Sequence, residues 1–228
     1  MNDLAQNLIE ELQCETVFTI PILGGIPVSE AVVVTWIIMA VLVVVSFILT
    51  RNLKVDHISK RQAVAESIVT GLMKMVQGMV GENGKAYVPY LTTVMLYIGV
   101  SNIIGLFGFK SPTKDLRVTV ALALMSIILI EAAGIYHKGV KRWLHGFVEP
   151  VAIVTPINIL EVVTKPLSLC MRLFGNVLGA FVIMELLKMI LPVGLPVVFS
   201  LYFDIFDGLL QAYVFVFLTS LYIDEITE

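Results

Sequence analysis

Ala31 to Thr50 reads AVVVTWIIMAVLVVVSFILT, a run without one charge. A hydrocarbon core of about 30 Å takes roughly 20 apolar residues of helix to cross. Backbone groups left unpaired in hydrocarbon cost several kcal/mol each, so a single run of this kind has one stable form there, the α-helix. Four more stretches carry the same constraint: residues 86–109, 118–136, 156–190 and 197–223. Composition agrees. The chain is 58% hydrophobic and only 14% charged, with a mean hydropathy of +0.93, against roughly half and a quarter in soluble domains. The expected fold class is all-α: a polytopic integral membrane protein with about five transmembrane helices. Residues 1–30 form an extramembrane leader and 31–228 a single membrane domain.

The same numbers exclude other classes. A net charge of −3, with no basic stripe interleaved with aromatics, argues against nucleic acid as a partner. Residues 1–20 hold Asp3, Glu10, Glu11 and Glu15 and no Lys or Arg, whereas a secretory signal begins basic. None is expected. The leader, punctuated by Pro21, Gly24, Gly25 and Pro27, reads as an irregular segment. Cys14 and Cys170 lie far apart in character, one in the polar leader and one at membrane depth, and predict neither a disulfide nor a metal site. His57, His137 and His145 fall in or beside loops. No phosphate-binding loop, metal cluster or nucleophile arrangement is present, so no cofactor and no bond chemistry of the chain's own are expected.

Between the first two spans, residues 51–61 form a basic loop. Val64, Ile68, Leu72, Met75, Val76 and Met79 then recur at helical spacing, which predicts an amphipathic helix over 62–81 at the membrane surface. Residues 137–142 form a second basic loop after the third span. Basic loops stay cytoplasmic, so the amino terminus is expected outside and the carboxyl terminus inside. The loop at 110–117 carries three basic residues of its own, which reduces the contrast.

The last two helices are overlong. About 35 residues at 1.5 Å each make about 52 Å, and a helix of that length in a 30 Å core must tilt steeply or break. The second, near 40 Å, should tilt too. Pro192 and Pro196 mark the hairpin between them.

Arg172 stands in the first of these helices, in an otherwise apolar or weakly polar run. An arginine at the centre of a membrane helix costs about 2.5–3.5 kcal/mol on insertion scales, and such residues mark ion or substrate paths. Its neighbours three and four residues away are Ser168, Leu169, Gly175 and Asn176, none a carboxylate. Glu161 lies about 16 Å away along the helix. The counter-charge must come from elsewhere in the protein or from another chain. Glu161 and Lys165, four apart, can pair structurally, as can Glu185 and Lys188. On the last helix Asp204, Asp207 and Gln211 share a face. Two carboxylates on one stripe repel, which suits proton handling; the alternative is that both are simply solvated near the outer interface.

The run Lys165-Pro-Leu-Ser-Leu-Cys-Met-Arg172-Leu-Phe-Gly-Asn176 closely resembles the signature of the subunit a family of F-type ATP synthases. Gln211-Ala-Tyr-Val-Phe-Val-Phe-Leu-Thr219 resembles that family's last helix. Ser101-Asn102-Ile-Ile-Gly-Leu106 and Pro112-Thr113-Lys-Asp115-Leu-Arg-Val-Thr119 are similar to upstream segments. The resemblance spans residues 60–223. It implies a stator subunit of the rotary motor in the membrane Fo sector, in a bacterial plasma membrane, that couples ion flow to ATP synthesis. Its implied partners are the c-ring, the peripheral stalk subunit b, the remaining F1Fo subunits and the lipid membrane; its cargo is protons or sodium ions. Two half-channels would meet a ring carboxylate at the essential arginine, matched by Arg172. Asn176, Gln211 and Ser168 match polar positions beside it. Asp204 matches a titratable position of the inlet, with Asp207 beside it, and Glu161 and Lys165 match polar positions upstream. Two departures stand out. Phe181 occupies a position, nine after the arginine, where many members carry a carboxylate, leaving Asp204, Asp207 and Glu185 as inlet candidates. Arg117 stands where asparagine is common.

Two other functions fit a polytopic chain. A secondary transporter would show inverted repeats and broken helices, and no repeat is present. A structural anchor would tolerate a neutral residue at 172.

Overall fold

The computed structural model describes residues 16–20, 26–51, 59–107, 109, 111–147, 152–190 and 194–227. The leader before residue 16, Cys14, the Gly24-Gly25 turn, most of the 51–61 loop with His57, and Pro192 lie outside the described residues.

Where an irregular leader is expected, the chain forms an antiparallel hairpin of β1 (Thr16–Ile20) and β2 (Ile26–Ser29), with Phe18 opposite Val28. The β-branched run Thr-Val-Phe-Thr-Ile suits an extended ribbon. Pro27 is tolerated because both strands of a two-stranded sheet are edges. The other described residues are in helices, turns and short connections.

Helix α1 (Glu30–Thr50) buries only Ala31, Val34 and Ile38. A helix apolar all round and uncovered by protein is stable only in lipid. Helix α2 (Lys60–Gln77) is N-capped by Ser59, whose hydroxyl accepts from Gln62 N–H at 3.3 Å. It buries Val76 and leaves Val64, Ile68, Val69 and Met75 exposed, an apolar face open to the membrane. A 3-10 turn (Glu82–Tyr87) leads into α3 (Val88–Ile103). Helix α4 (Leu116–Lys138) starts at Asp115, whose carboxylate accepts from Arg117 N–H at 2.9 Å, and stops at Gly139, which has φ 76°, a conformation that favours glycine. The short α5 (Val140–Gly146) follows. Helix α6 (Thr155–Ile190) is 36 residues long and carries Pro166 within it. The chain then returns through α7 (Leu195–Ser200), a π-helical segment (Leu201–Asp207) and α8 (Gly208–Thr227). Five helical stretches are long and apolar enough to span: Glu30–Thr50, Gly84–Phe107, Leu116–Lys138, Thr155–Met189 and Val198–Thr227. The protein is an all-α, polytopic integral membrane protein.

Helix α8 is the centre of the bundle. It packs on α3 and α4, while α4 also carries α6. Lipid gives no hydrophobic drive between helices, so close fit and hydrogen bonds must hold them. Small side chains permit that fit: Ala212, Thr219 and Ser220 on α8 are buried. A Cβ on Gly208 would lie 2.8 Å from the Cβ of Asn102, and one on Gly134 would lie 2.8 Å from Ile226. Leu91, Ile98, Ile130, Leu169, Leu173, Phe215 and Ile223 fill the space between.

A buried polar network locks this packing. Asn102 Nδ2 donates to the Gly208 carbonyl at 2.9 Å, and Thr113 Oγ1 donates to Asn102 Oδ1 at 2.8 Å. Ser111 Oγ donates to the Ser101 carbonyl at 2.8 Å, and Ser29 Oγ donates to Asp115 at 2.8 Å. The segment read as a plain turn between spans is thus folded inward. Arg117 contributes its backbone there and its side chain is exposed, so packing does not demand asparagine at this position. Asn102→Leu should remove the side-chain donor to the Gly208 carbonyl and the amide acceptor of Thr113, which keeps Ser111, at about 0.5–1.5 kcal/mol for each bond lost. We expect a lower unfolding temperature of the detergent-solubilised protein, whereas Arg117→Asn should leave it within a degree or two of the parent, since exposed substitutions stay within about 0.5 kcal/mol.

Candidate functional site

Arg172 lies on the uncovered side of α6. Leu169, Cys170 and Leu173 point into the bundle, and Ser168, Arg172, Gly175, Asn176 and Gly179 are exposed. Among the described residues Arg172 makes no hydrogen bond, ion pair or ring contact. A Cβ added at Gly175 or Gly179 would meet nothing within 4 Å. The strip around the arginine is therefore low and open, the relief that lets a second helix approach closely in a membrane.

One turn on, Asn176 Nδ2 donates to Gln211 Oε1 at 2.7 Å and ties α6 to α8. Gln211 is only 2% exposed, and its Nε2 has no hydrogen-bond partner. A buried amide donor left unpaired is unusual and marks this crossing as a polar spot awaiting a partner.

Two cavities lie along α6, one on each side of Arg172. The first, about 510 Å³, is lined by Asn102, Lys114, Phe181, Asp204, Asp207 and Gln211, among others. Asp204 and Asp207 belong to the π-helical segment and are both partly buried. The π segment ends at Gly208, the first residue of α8, whose carbonyl accepts from Asn102. Asp204 packs over Gly105, where a Cβ would come within 3.3 Å of its carboxylate. Phe181 has the Lys114 ammonium 3.8 Å from its ring centre, a cation–π contact. Glu185 and Lys188 pair at 2.5 Å on the same wall.

The second cavity, about 370 Å³, lies between the ends of α4 and α8, the start of α6, and α5. Glu131, Arg142, Asn158, Glu161, Lys165 and Glu225 line it. Lys165 Nζ pairs with Glu225 at 3.1 Å and with Glu161 at 3.7 Å, and lies 5.2 Å from the centre of the Tyr222 ring. Glu225 and Tyr222 are absent from the residues that spacing picks out around Lys165, because they are about 60 positions away in the chain. Their one sequence signal is a spacing of three on the last helix.

The fold thus groups Asp204, Asp207 and Gln211 in one cavity, and Glu161 and Lys165 in another. Ser168, Arg172 and Asn176 stand between. At 1.5 Å per residue, Arg172 is about 10 Å along α6 from Lys165 and about 13 Å from Phe181.

Comparison with known proteins identifies the family. The model of the ATP synthase A chain family matches residues 32–224. The ATP synthase subunit a of Moorella thermoacetica is 35% identical over 203 residues, covering 88% of this chain and 92% of that protein. The sodium ion specific ATP synthase subunit a of Propionigenium modestum is 35% identical over 215 residues, covering 87% and 74%. Subunit a 2 of Acaryochloris marina is 32% identical over 202 residues, covering 88% and 86%. With two helices studded with polar groups, two cavities and an unpaired arginine between them, the chain belongs to the ATP synthase A chain family, the ion-translocating membrane subunits of that synthase.

Proposed function

We propose that this chain is the stator of a rotary ion path in a bacterial plasma membrane, with its amino terminus outside and its carboxyl terminus in the cytoplasm. Its open α6 strip faces a c-ring, and subunit b and the other F1Fo subunits complete the complex. The observation that carries the reading is the exposed, unpartnered Arg172 between two polar cavities. A guanidinium keeps its charge at any physiological pH. In a membrane it needs an anion, and the described residues offer none beside it. A carboxylate on a passing ring subunit fits the need. As it nears Arg172 its ionised form is favoured, and it gives up its ion. As it leaves, it must take up another before entering lipid, because a bare carboxylate there is expensive.

The two cavities divide this traffic. The first, with Asp204 and Asp207, serves as the inlet, and Gln211 and Asn176 hold water or the ring carboxylate at its inner end. The second, with Glu161, Lys165 and Glu225, leads to the cytoplasm. Ser168 keeps the strip low beside the arginine. Arg172, as a fixed cation between the two, blocks ions from passing directly from one to the other. One charge moved through 100 mV is worth about 2.3 kcal/mol, so several ions must pass for each ATP, which a ring of successive sites provides.

In the reconstituted complex, Arg172→Ala should abolish ATP-driven ion pumping while the complex still assembles. Arg172→Lys should rescue little of it, since a point ammonium does not reproduce a guanidinium fork. Normal pumping by Arg172→Ala would leave the chain a structural anchor. Asp204→Asn should slow pumping with assembly intact; unchanged flux across the pH range would return Asp204 to a solvated surface role. The cargo is a proton or a sodium ion, and the response of ATP hydrolysis to added sodium distinguishes them.

A further inference from the structure

Glu131 is the single acidic residue of α4, about 10 Å inside its C-terminal end by helical rise. An ionisable group at such a position points to function by default, with its partner to be named. The partner here is Trp143 of α5, whose Nε1–H donates to Glu131 Oε2 at 2.9 Å. Trp143 is itself held, edge-on to Phe147 with ring centres 5.0 Å apart. A Cβ on Gly134 would come within 3.2 Å of its ring. The carboxylate is aimed by a fixed donor. Among the described residues its other oxygen has no hydrogen-bond partner, and Glu131 lines the second cavity.

The titratable and charged groups around that cavity are Glu131, Glu161 and Glu225, against Lys138, Arg142 and Lys165. Lys165 is engaged by Glu225 and Glu161, so Glu131 is the carboxylate of the three that is not tied to an ammonium. A clasp between α4 and α5 across Gly139 would need only a neutral acceptor for the indole N–H, and glutamine would serve without the expense of an acid in a spanning helix. A carboxylate adds one property: it can hold and release a proton.

We propose that Glu131 is a proton-holding group of the second ion path, exchanging protons between cavity water and the Glu161–Lys165–Glu225 cluster, with Trp143 as its positioning residue. The proton comes from the cluster side on one carboxylate oxygen and leaves to bulk water, or the reverse; no other bond changes. The inference rests on the reading of this cavity as an ion path.

The test uses the whole complex in vesicles, with ATP-driven pumping followed across pH. Glu131→Gln keeps an acceptor for Trp143 and removes titration. We expect normal assembly, about tenfold slower pumping and a changed pH profile. That loss is below the roughly 10²–10⁴-fold of a sole acid–base group, because Glu161 and Glu225 remain. Trp143→Phe leaves the acid but frees it, and should slow pumping severalfold. Parent-like pumping by Glu131→Gln at every pH overturns the proposal, as does sodium as the pumped ion. If Glu131→Gln does not assemble, Trp143→Phe decides, and pumping at the parent rate overturns it. Arg172→Ala run in parallel separates the two claims. If that variant is dead and Glu131→Gln is normal, Glu131 alone loses its role; if Arg172→Ala pumps, the ion-path reading itself falls.

Discussion

The contact of Asn102 with Gly208 decides where the polar groups of this protein can stand. Only glycine lets α3 approach α8 so closely, and only a side-chain donor meets the carbonyl at the end of the π segment. With α8 fixed there, its buried face runs from Gln211 through Phe215 and Thr219 to Ile223. The segment carrying Asp204 and Asp207 is turned toward the α3 end, Lys114 and α6 instead of into the core. Thr113, Ser111 and Asp115 brace the same point from the folded-in turn. A membrane protein has little apolar driving force for fixing one helix against another, so a buried polar knot beside a glycine is an efficient way to do it.

The consequence falls on α6. It is held on one side by α4 and by the Asn176–Gln211 bond, and its other side is left open for most of its length. Leucine and methionine on such a face would need no explanation in lipid. Arg172 does, because its charge is unpaired among the described residues. Glycines at 175 and 179 and serine at 168 remove bulk on the same face. Bulk is thus removed on both sides of the cation along this face.

Five spans were legible in the sequence because apolar length is a local property. The absence of a carboxylate near Arg172, and the pairing options of Glu161 with Lys165 and Glu185 with Lys188, were legible because helical neighbours sit three or four apart; both pairs form. Contacts that join distant segments were not. Glu225 reaches Lys165 across 60 positions, Lys114 reaches Phe181, and Trp143 reaches Glu131 only once α5 turns back at Gly139. The π segment was hidden for a different reason: LYFDIFD is apolar enough for any helix, and nothing in its spacing sets a π turn apart from an α turn. The β hairpin was not legible because Pro21, Gly24, Gly25 and Pro27 read as loop punctuation, while its strands, Thr16–Ile20 and Ile26–Ser29, are too short to show a period.

Phe181 shows how the two kinds of information combine. Read alone, it is an apolar residue in an apolar helix, at a position where the family resemblance leads one to expect an acid. In the fold it lies beneath the Lys114 ammonium and beside a cavity that also holds Asp204 and Asp207. A carboxylate there would have paired with Lys114 and brought a third acid near the two on the π segment. The aromatic ring holds the same ammonium through its face and adds no charge. The acids of that cavity are thereby confined to the α8 side, on the segment that Asn102 fixes, and to Glu185, already paired with Lys188. The carboxylates of this cavity other than Glu185 thus stand on the segment leading into the helix that carries Gln211, one side of the crossing from which Arg172 projects.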